Sequence, residues 1–129
     1  MISLAFNAER RVLLVTYSTA IDRANLDELD GLLQGFVARH GTTDTIIDFS
    51  GAPPAPIDTQ ALIARAHTPS RMPGRRRFFV AGNDHAYGMM RVYGAHQEGI
   101  DETAPTIVRR LEEALAALGV DADSFAPVG

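Results

Sequence analysis

The stretch that most constrains the fold lies near the middle of the chain. Thr45-Ile46-Ile47-Asp48-Phe49-Ser50-Gly51 is an apolar, strand-like run ending in a carboxylate and a hydroxyl. Gly51-Ala52-Pro53-Pro54-Ala55-Pro56 follows it. Three prolines lack amide donors, so this segment is neither helix nor central strand. Asp58-Thr59 then opens a run with Ala61, Leu62, Ile63 and Ala66, a short helix that must finish before Pro69. Strand, bend and capped helix in that order form the first part of a parallel βαβ unit. The carboxylates and hydroxyls at the junction suit anion or phosphate handling, and they suit helix capping equally well.

The flanking segments extend the pattern. Leu4 and Phe6, the turn-like Asn7-Ala8-Glu9-Arg10 and the run from Val12 to Tyr17 read as a hairpin. Asp22 can cap a helix carrying Leu26, Leu29, Leu32, Leu33, Phe36 and Val37, with Gly41 as its stop. Arg75 to Ala81 reads as a fourth strand. Gly82-Asn83-Asp84 turns into a third helix with Ala86, Met89, Met90, Tyr93 and Ala95 inward and Gly99 as its stop. Thr106 to Val108 is a short fifth strand, and Leu111, Ala114, Leu115 and Leu118 make a last helix stopped by Gly119. The order predicts one α/β domain over residues 1–120. Its sheet is expected to be mostly parallel and five-stranded, with an N-terminal β-hairpin that adds an antiparallel strand at one edge, and about four helices. Residues 121–129 are expected to form a loosely held C-terminal tail.

Composition prunes the functions open to such a domain. All twelve basic residues are arginine. Without lysine there is no Schiff-base chemistry and no phosphate-loop lysine, and Asp48 does not fit the phosphorylated aspartate of a receiver domain. Without cysteine there is no thiol catalysis, no thiolate zinc site and no disulfide framework to suggest export. A net charge of -4 argues against a dedicated nucleic-acid binder. No apolar run reaches the roughly 18 residues that span a bilayer, and Met1 to Phe6 has no basic leader pattern, so a cytoplasmic location is the expectation. His40, His67, His85 and His96 lie in different segments with no His-x-x-x-His pair, so neither a metal nor a cofactor is expected.

Three stretches resemble those of a STAS-type domain, nearest to the small bacterial proteins called SpoIIAA-like or STAS/SEC14-like. Ile46-Ile47-Asp48-Phe49-Ser50-Gly51 is similar to the family's apolar strand with an aspartate and a small polar residue at its end. Phe79-Val80-Ala81, through Ala86-Tyr87-Gly88-Met89-Met90-Arg91-Val92-Tyr93, is similar to its strand, turn and Tyr-Gly-x-x-Arg-x-aromatic helix. Val108, through Glu112 to Gly119, is similar to its closing strand and helix. The resemblance covers roughly residues 2–120. It implies a SpoIIAA-like fold and a regulatory or interaction module. In anti-sigma-factor antagonists a serine after an aspartate, at the start of the second helix, accepts phosphate. Asp58 matches that aspartate and Thr59 stands where the serine would be, although Gln60-Ala61-Leu62 departs from the family's Ser-Gly-Leu continuation and the preceding loop is longer. The SEC14-like label implies an apolar or lipid-like ligand.

The candidate site is expected beyond the carboxyl ends of the strands, where open parallel sheets bind ligands. Those ends supply Asp48 and Ser50, with Asn83, Asp84 and His85, while Asp58 and Thr59 face the same rim from a helix start. Thr59 and Ser50 are the candidate phosphoacceptors. Asp48, Asp58, Asn83, His85, Tyr87 and Arg91 are the candidate partner- or ligand-binding residues. Arg91 and Tyr87 are one turn apart and placed to stack. Arg71, Arg75, Arg76 and Arg77 form a basic cluster, and strand alternation sends Arg76 to the opposite face from Arg75 and Arg77. The first functional expectation is a non-enzymatic regulatory module that docks a protein partner on this rim. The second is a carrier or sensor of a small apolar or lipid-like ligand, with helices parted over a cavity and Arg91 or the 71–77 arginines holding an acidic head. A solid core beneath the third helix would sink that second reading. An enzyme would need His85 joined to a hydroxyl and an oriented carboxylate, and the chain has no nucleophile-elbow motif. An exposed edge strand leaves a homodimer open.

Overall fold

A computed structural model describes residues 1–53, 56–67, 71–97 and 104–128. In chain order the elements are β1 (Ile2–Asn7), β2 (Val12–Tyr17), α1 (Arg23–His40), β3 (Asp44–Asp48), α2 (Thr59–Ala66), β4 (Arg77–Val80), α3 (Asp84–Gln97), β5 (Thr106–Val108), α4 (Leu111–Leu118), a 3-10 turn (Ala122–Ser124) and β6 (Ala126–Val128). The expected caps are in place. The Asp22 carboxylate accepts from the Asn25 amide at 2.9 Å, and Gly41 closes α1 by donating its N–H to the Val37 carbonyl. Gly119 closes α4 in the left-handed region at φ 69°, where a side chain is strained. The stop assigned to Gly99 lies outside the described residues.

The six-stranded mixed sheet runs β5-β4-β3-β2-β1-β6. β2, β3, β4 and β5 are mutually parallel, and β1 is antiparallel to both β2 and β6. Two expectations are corrected here. The sheet has six strands rather than five, and β1 lies inside it rather than at an edge. The C-terminal residues are the reason. Ala126–Val128 pairs with Leu4–Phe6 as β6, so residues 126–128 are held in the sheet. The Asn7 side chain donates to the Ser124 hydroxyl at 2.8 Å and anchors the turn before it. Pro127 is compatible with this place because an edge strand has one side that needs no amide donor.

Crossover handedness distributes the helices. The connections β2-α1-β3, β3-α2-β4 and β4-α3-β5 all step the same way along the sheet, so right-handed crossovers put α1, α2 and α3 on one face. The return from β5 to β6 steps the opposite way and carries α4 across the other face. Side chains alternate accordingly. Leu13, Val15, Tyr17, Ile47, Phe49 and Phe79 pack with α1–α3, including Phe36, Leu62, Met90 and Tyr93. Val12, Ile46, Phe78 and Val80 pack with Ala114, Leu115 and Val120. All four residues of β4 are buried, as expected of a strand covered on both faces. Among the described residues no helix is long and apolar enough to cross a membrane.

Candidate functional site

At the carboxyl ends of the strands, most of the expected polar residues are engaged in local structure. The Ser50 amide and hydroxyl both donate to the same Asp48 carboxylate oxygen, at 2.9 and 2.6 Å. This closes a turn just after β3. The Asp58 carboxylate accepts from the Ala61 amide at 2.9 Å and caps α2. The Asn83 side chain accepts from the Ala86 amide at 2.8 Å at the start of α3. Gly82 lies so close to the Ser50 turn that a methyl group on it would meet the Ser50 Cα at 3.0 Å. Asn83 and His85 do share a cleft of about 480 Å³, whose other walls include Ile21, Phe49, Pro53 and Ile57. The fold thus brings Asn83 and His85 together, while the Ser50 hydroxyl is directed to Asp48.

Because Asp58 acts as a cap, Asp58→Ala is expected to lower stability by about 1 kcal/mol. Urea denaturation monitored by circular dichroism checks this, and a loss below about 0.3 kcal/mol would assign the carboxylate another role.

Tyr87 and Arg91 stand apart from that rim chemistry. The Arg91 guanidinium lies 5.8 Å from the Tyr87 ring centroid, as helical spacing expects. Arg109, which the sequence did not single out, lies closer at 4.1 Å and is paired with Asp84 at 2.6 Å. The group ties the segment after β5 to the first turn of α3. His67 and His96, far apart in sequence, meet edge to face with ring centroids 5.1 Å apart. Among the described residues no group of three or more metal-ligating side chains is arranged to hold a metal.

A larger opening than that rim cleft lies between α1 and α2, against the first residues of β3 and β4. It encloses about 610 Å³, within the range of small-molecule sites. Thr45, Ile47 and Phe79 from the sheet, with Tyr93 from α3, form its floor. Leu26 and Leu33 line the α1 side, and Ala61 and Ala64 the α2 side, where their small side chains leave the gap. Four arginines, Arg23, Arg65, Arg71 and Arg77, and two aspartates, Asp27 and Asp30, also line the opening. Arg65 and Asp30 form an ion pair between α2 and α1, with side chains 18% and 27% exposed.

Arg77 is 8% exposed and donates to the Gln97 side-chain oxygen at 3.3 Å, while Gln97 donates to the Ala66 carbonyl at 3.4 Å. These contacts tie β4, α3 and α2 together beside the cleft. Arg76 and Arg77 go to opposite faces as expected, while Arg75, expected beside Arg77, precedes β4 and pairs with Asp44. Arg77 lines the cleft, whereas Arg76 reaches the Ala117 carbonyl of α4 at 2.9 Å on the other face.

Beneath α3 the packing is closed. Ala86, Met90 and Tyr93 are buried, and the void there is about 20 Å³, room for one water molecule. Among the described residues the core beneath the third helix is closed, which counts against the carrier as the sequence placed it; a carrier reading rests instead on the opening between α1 and α2. Arg91 does not line this cleft. Sequence reasoning missed Arg23, Arg65 and Asp30. The available signals were Arg65 within an alanine-rich helix and Arg77 at a core-facing position of a buried strand.

No protein-family model matches the chain, and no curated protein is similar enough to it to stand as a relative.

Proposed function

We propose that this chain is a non-enzymatic binding module, of the STAS/SpoIIAA-like type that its sequence resembles, acting as a carrier or sensor of a small amphipathic anion. The observation that carries this reading is the cleft between α1 and α2. It joins an apolar floor of Ile47, Phe79 and Tyr93 to a lining that includes Arg23, Arg65, Arg71 and Arg77. Arginine binds carboxylate and phosphate through paired N–H donors, and an apolar floor takes the rest of such a molecule. The strand-helix order and the inward-facing Phe79, Met90 and Tyr93 support the family resemblance. Docking a protein on the carboxyl-end rim has less support, because Asp48, Asp58 and Asn83 already accept from loop and helix amides.

Native mass spectrometry of protein purified gently from its source cells tests the reading. A non-covalent adduct lost on denaturation, and absent from Ala64→Trp, is the expected result. Ala64 is an exposed residue on the cleft wall, so the indole fills the opening without entering the core. The substitution is expected to weaken binding at least about 30-fold, because displaced apolar contacts are worth about 25 cal/mol per Å². An adduct retained equally by Ala64→Trp would overturn the assignment of the site. A phosphate-sized covalent increment on Thr59 or Ser50 would favour the regulatory switch instead.

A further inference from the structure

The cleft already contains a carboxylate on one of its arginines. Resting on the binding function proposed for that cleft, we infer that Asp30 is an internal competitor for the ligand: its carboxylate holds Arg65 in the free protein, and an entering carboxylate- or phosphate-headed molecule displaces it. Three observations lead there. Asp30 and Arg65 both line the opening and pair with each other, so a ligand entering it meets their ion pair at the wall. Both side chains retain some exposure, so the pair is partly screened and open to exchange without a large desolvation cost. A guanidinium offers a fixed fork of donors, and a second carboxylate or phosphate near it competes for that same fork. The exchange moves no proton and breaks no covalent bond. Asp30 turns to water as the ligand head takes its place.

Asp27 supplies the internal comparison. It lies one turn before Asp30 on α1, lines the same cleft and carries the same charge. Its carboxylate makes no ion pair or hydrogen bond among the described residues. Removing its charge therefore reports general repulsion of an anion, whereas removing that of Asp30 reports repulsion together with the loss of its ion pair to Arg65.

The test uses the full chain as wild type, Asp30→Asn and Asp27→Asn, titrated with octanoate and separately with 1-octanol. Backbone amide shifts in α1 and α2 are read by NMR. Asp30→Asn is expected to tighten octanoate binding about tenfold and to leave 1-octanol within about twofold. Asp27→Asn is expected to tighten octanoate less than about threefold, since it changes only a screened field. Octanoate binding to Asp30→Asn alone would also support the competition, in its strongest form. Unchanged or weaker octanoate binding by Asp30→Asn, with the wild type still binding in the cleft, would overturn the competition and leave the cleft assignment standing. Equal gains from both variants would overturn it too, as a plain charge effect. No binding of either probe to any of the three proteins, or shifts confined to another part of the fold, would remove the cleft assignment and the competition together.

Discussion

Phe79→Ala is expected to lower the stability of this domain by about 3–5 kcal/mol. Phe79 sits in the middle of β4 and faces the three-helix side of the sheet, 7% exposed. Its ring lies edge to face with Phe49 at 5.7 Å and tilted against Tyr93 at 5.5 Å. It stands beside Ile47 and Ile107 in the parallel registers. Truncation removes the transfer free energy of the ring and leaves a hole that neighbours on two rigid strands cannot collapse into. The loss is large against the total of about 5–15 kcal/mol expected for such a domain. Urea unfolding with an unchanged slope measures it. The result also bears on the cleft. Phe79 is part of its floor and borders the small void beneath α3. A loss under about 1.5 kcal/mol would mean that the floor is loosely packed, and the contrast between a closed core and an open cleft would fail.

What the sequence disclosed and what it concealed follow from how local each determinant is. The caps at Asp22 and Asp58 act within one turn and are readable from a few neighbouring residues. The stops at Gly41 and Gly119 are readable for the same reason. The strands β2, β3 and β4 announce themselves as apolar runs because they are covered on both faces. β6 does not, since its three residues include a proline and gain strand character by pairing with β1, more than a hundred residues earlier.

The cleft is concealed for a related reason. No single segment encodes it. It arises where Leu26 and Leu33 of α1 face the small Ala61 and Ala64 of α2 across the sheet. The rule that ligands gather at the carboxyl ends of parallel strands directed attention to Asp48, Ser50, Asp58 and Asn83. Short polar residues at those junctions also satisfy the amides that strand ends and helix starts leave unpaired, and that is how Asp48, Asp58 and Asn83 are used. The arginine cluster was visible, but its division between two faces gave Arg77 to the cleft and Arg76 to α4.

Raising the pH from 10 to 12 is expected to destabilise the wild-type protein by about 2 kcal/mol, with Tyr17→Phe removing most of that dependence. Tyr17 ends β2 with its side chain fully buried, and its hydroxyl donates to the Ala20 carbonyl at 2.7 Å. Burial pushes the phenol up to about 12 from its ordinary 10. The Asp22 carboxylate reinforces the shift and Arg65 opposes it. The folded state therefore holds this proton more tightly than the unfolded chain does. Its contribution is fully present below pH 10 and is lost as the pH climbs through 12, because the unfolded phenol ionises first. The sequence makes this alkaline window unusually clear. With no lysine and no cysteine, tyrosines are the side chains whose ordinary range falls between pH 9 and 12, and arginine stays charged throughout. Tyr17→Phe keeps the ring that packs on Phe49 at 4.8 Å and removes only the hydroxyl. Its direct cost at neutral pH is expected to be about 1 kcal/mol for the lost hydrogen bond. Urea midpoints for both proteins at pH 8, 10 and 12 test the expectation. Parallel decline of the two curves would show that the alkaline loss comes from elsewhere in the fold.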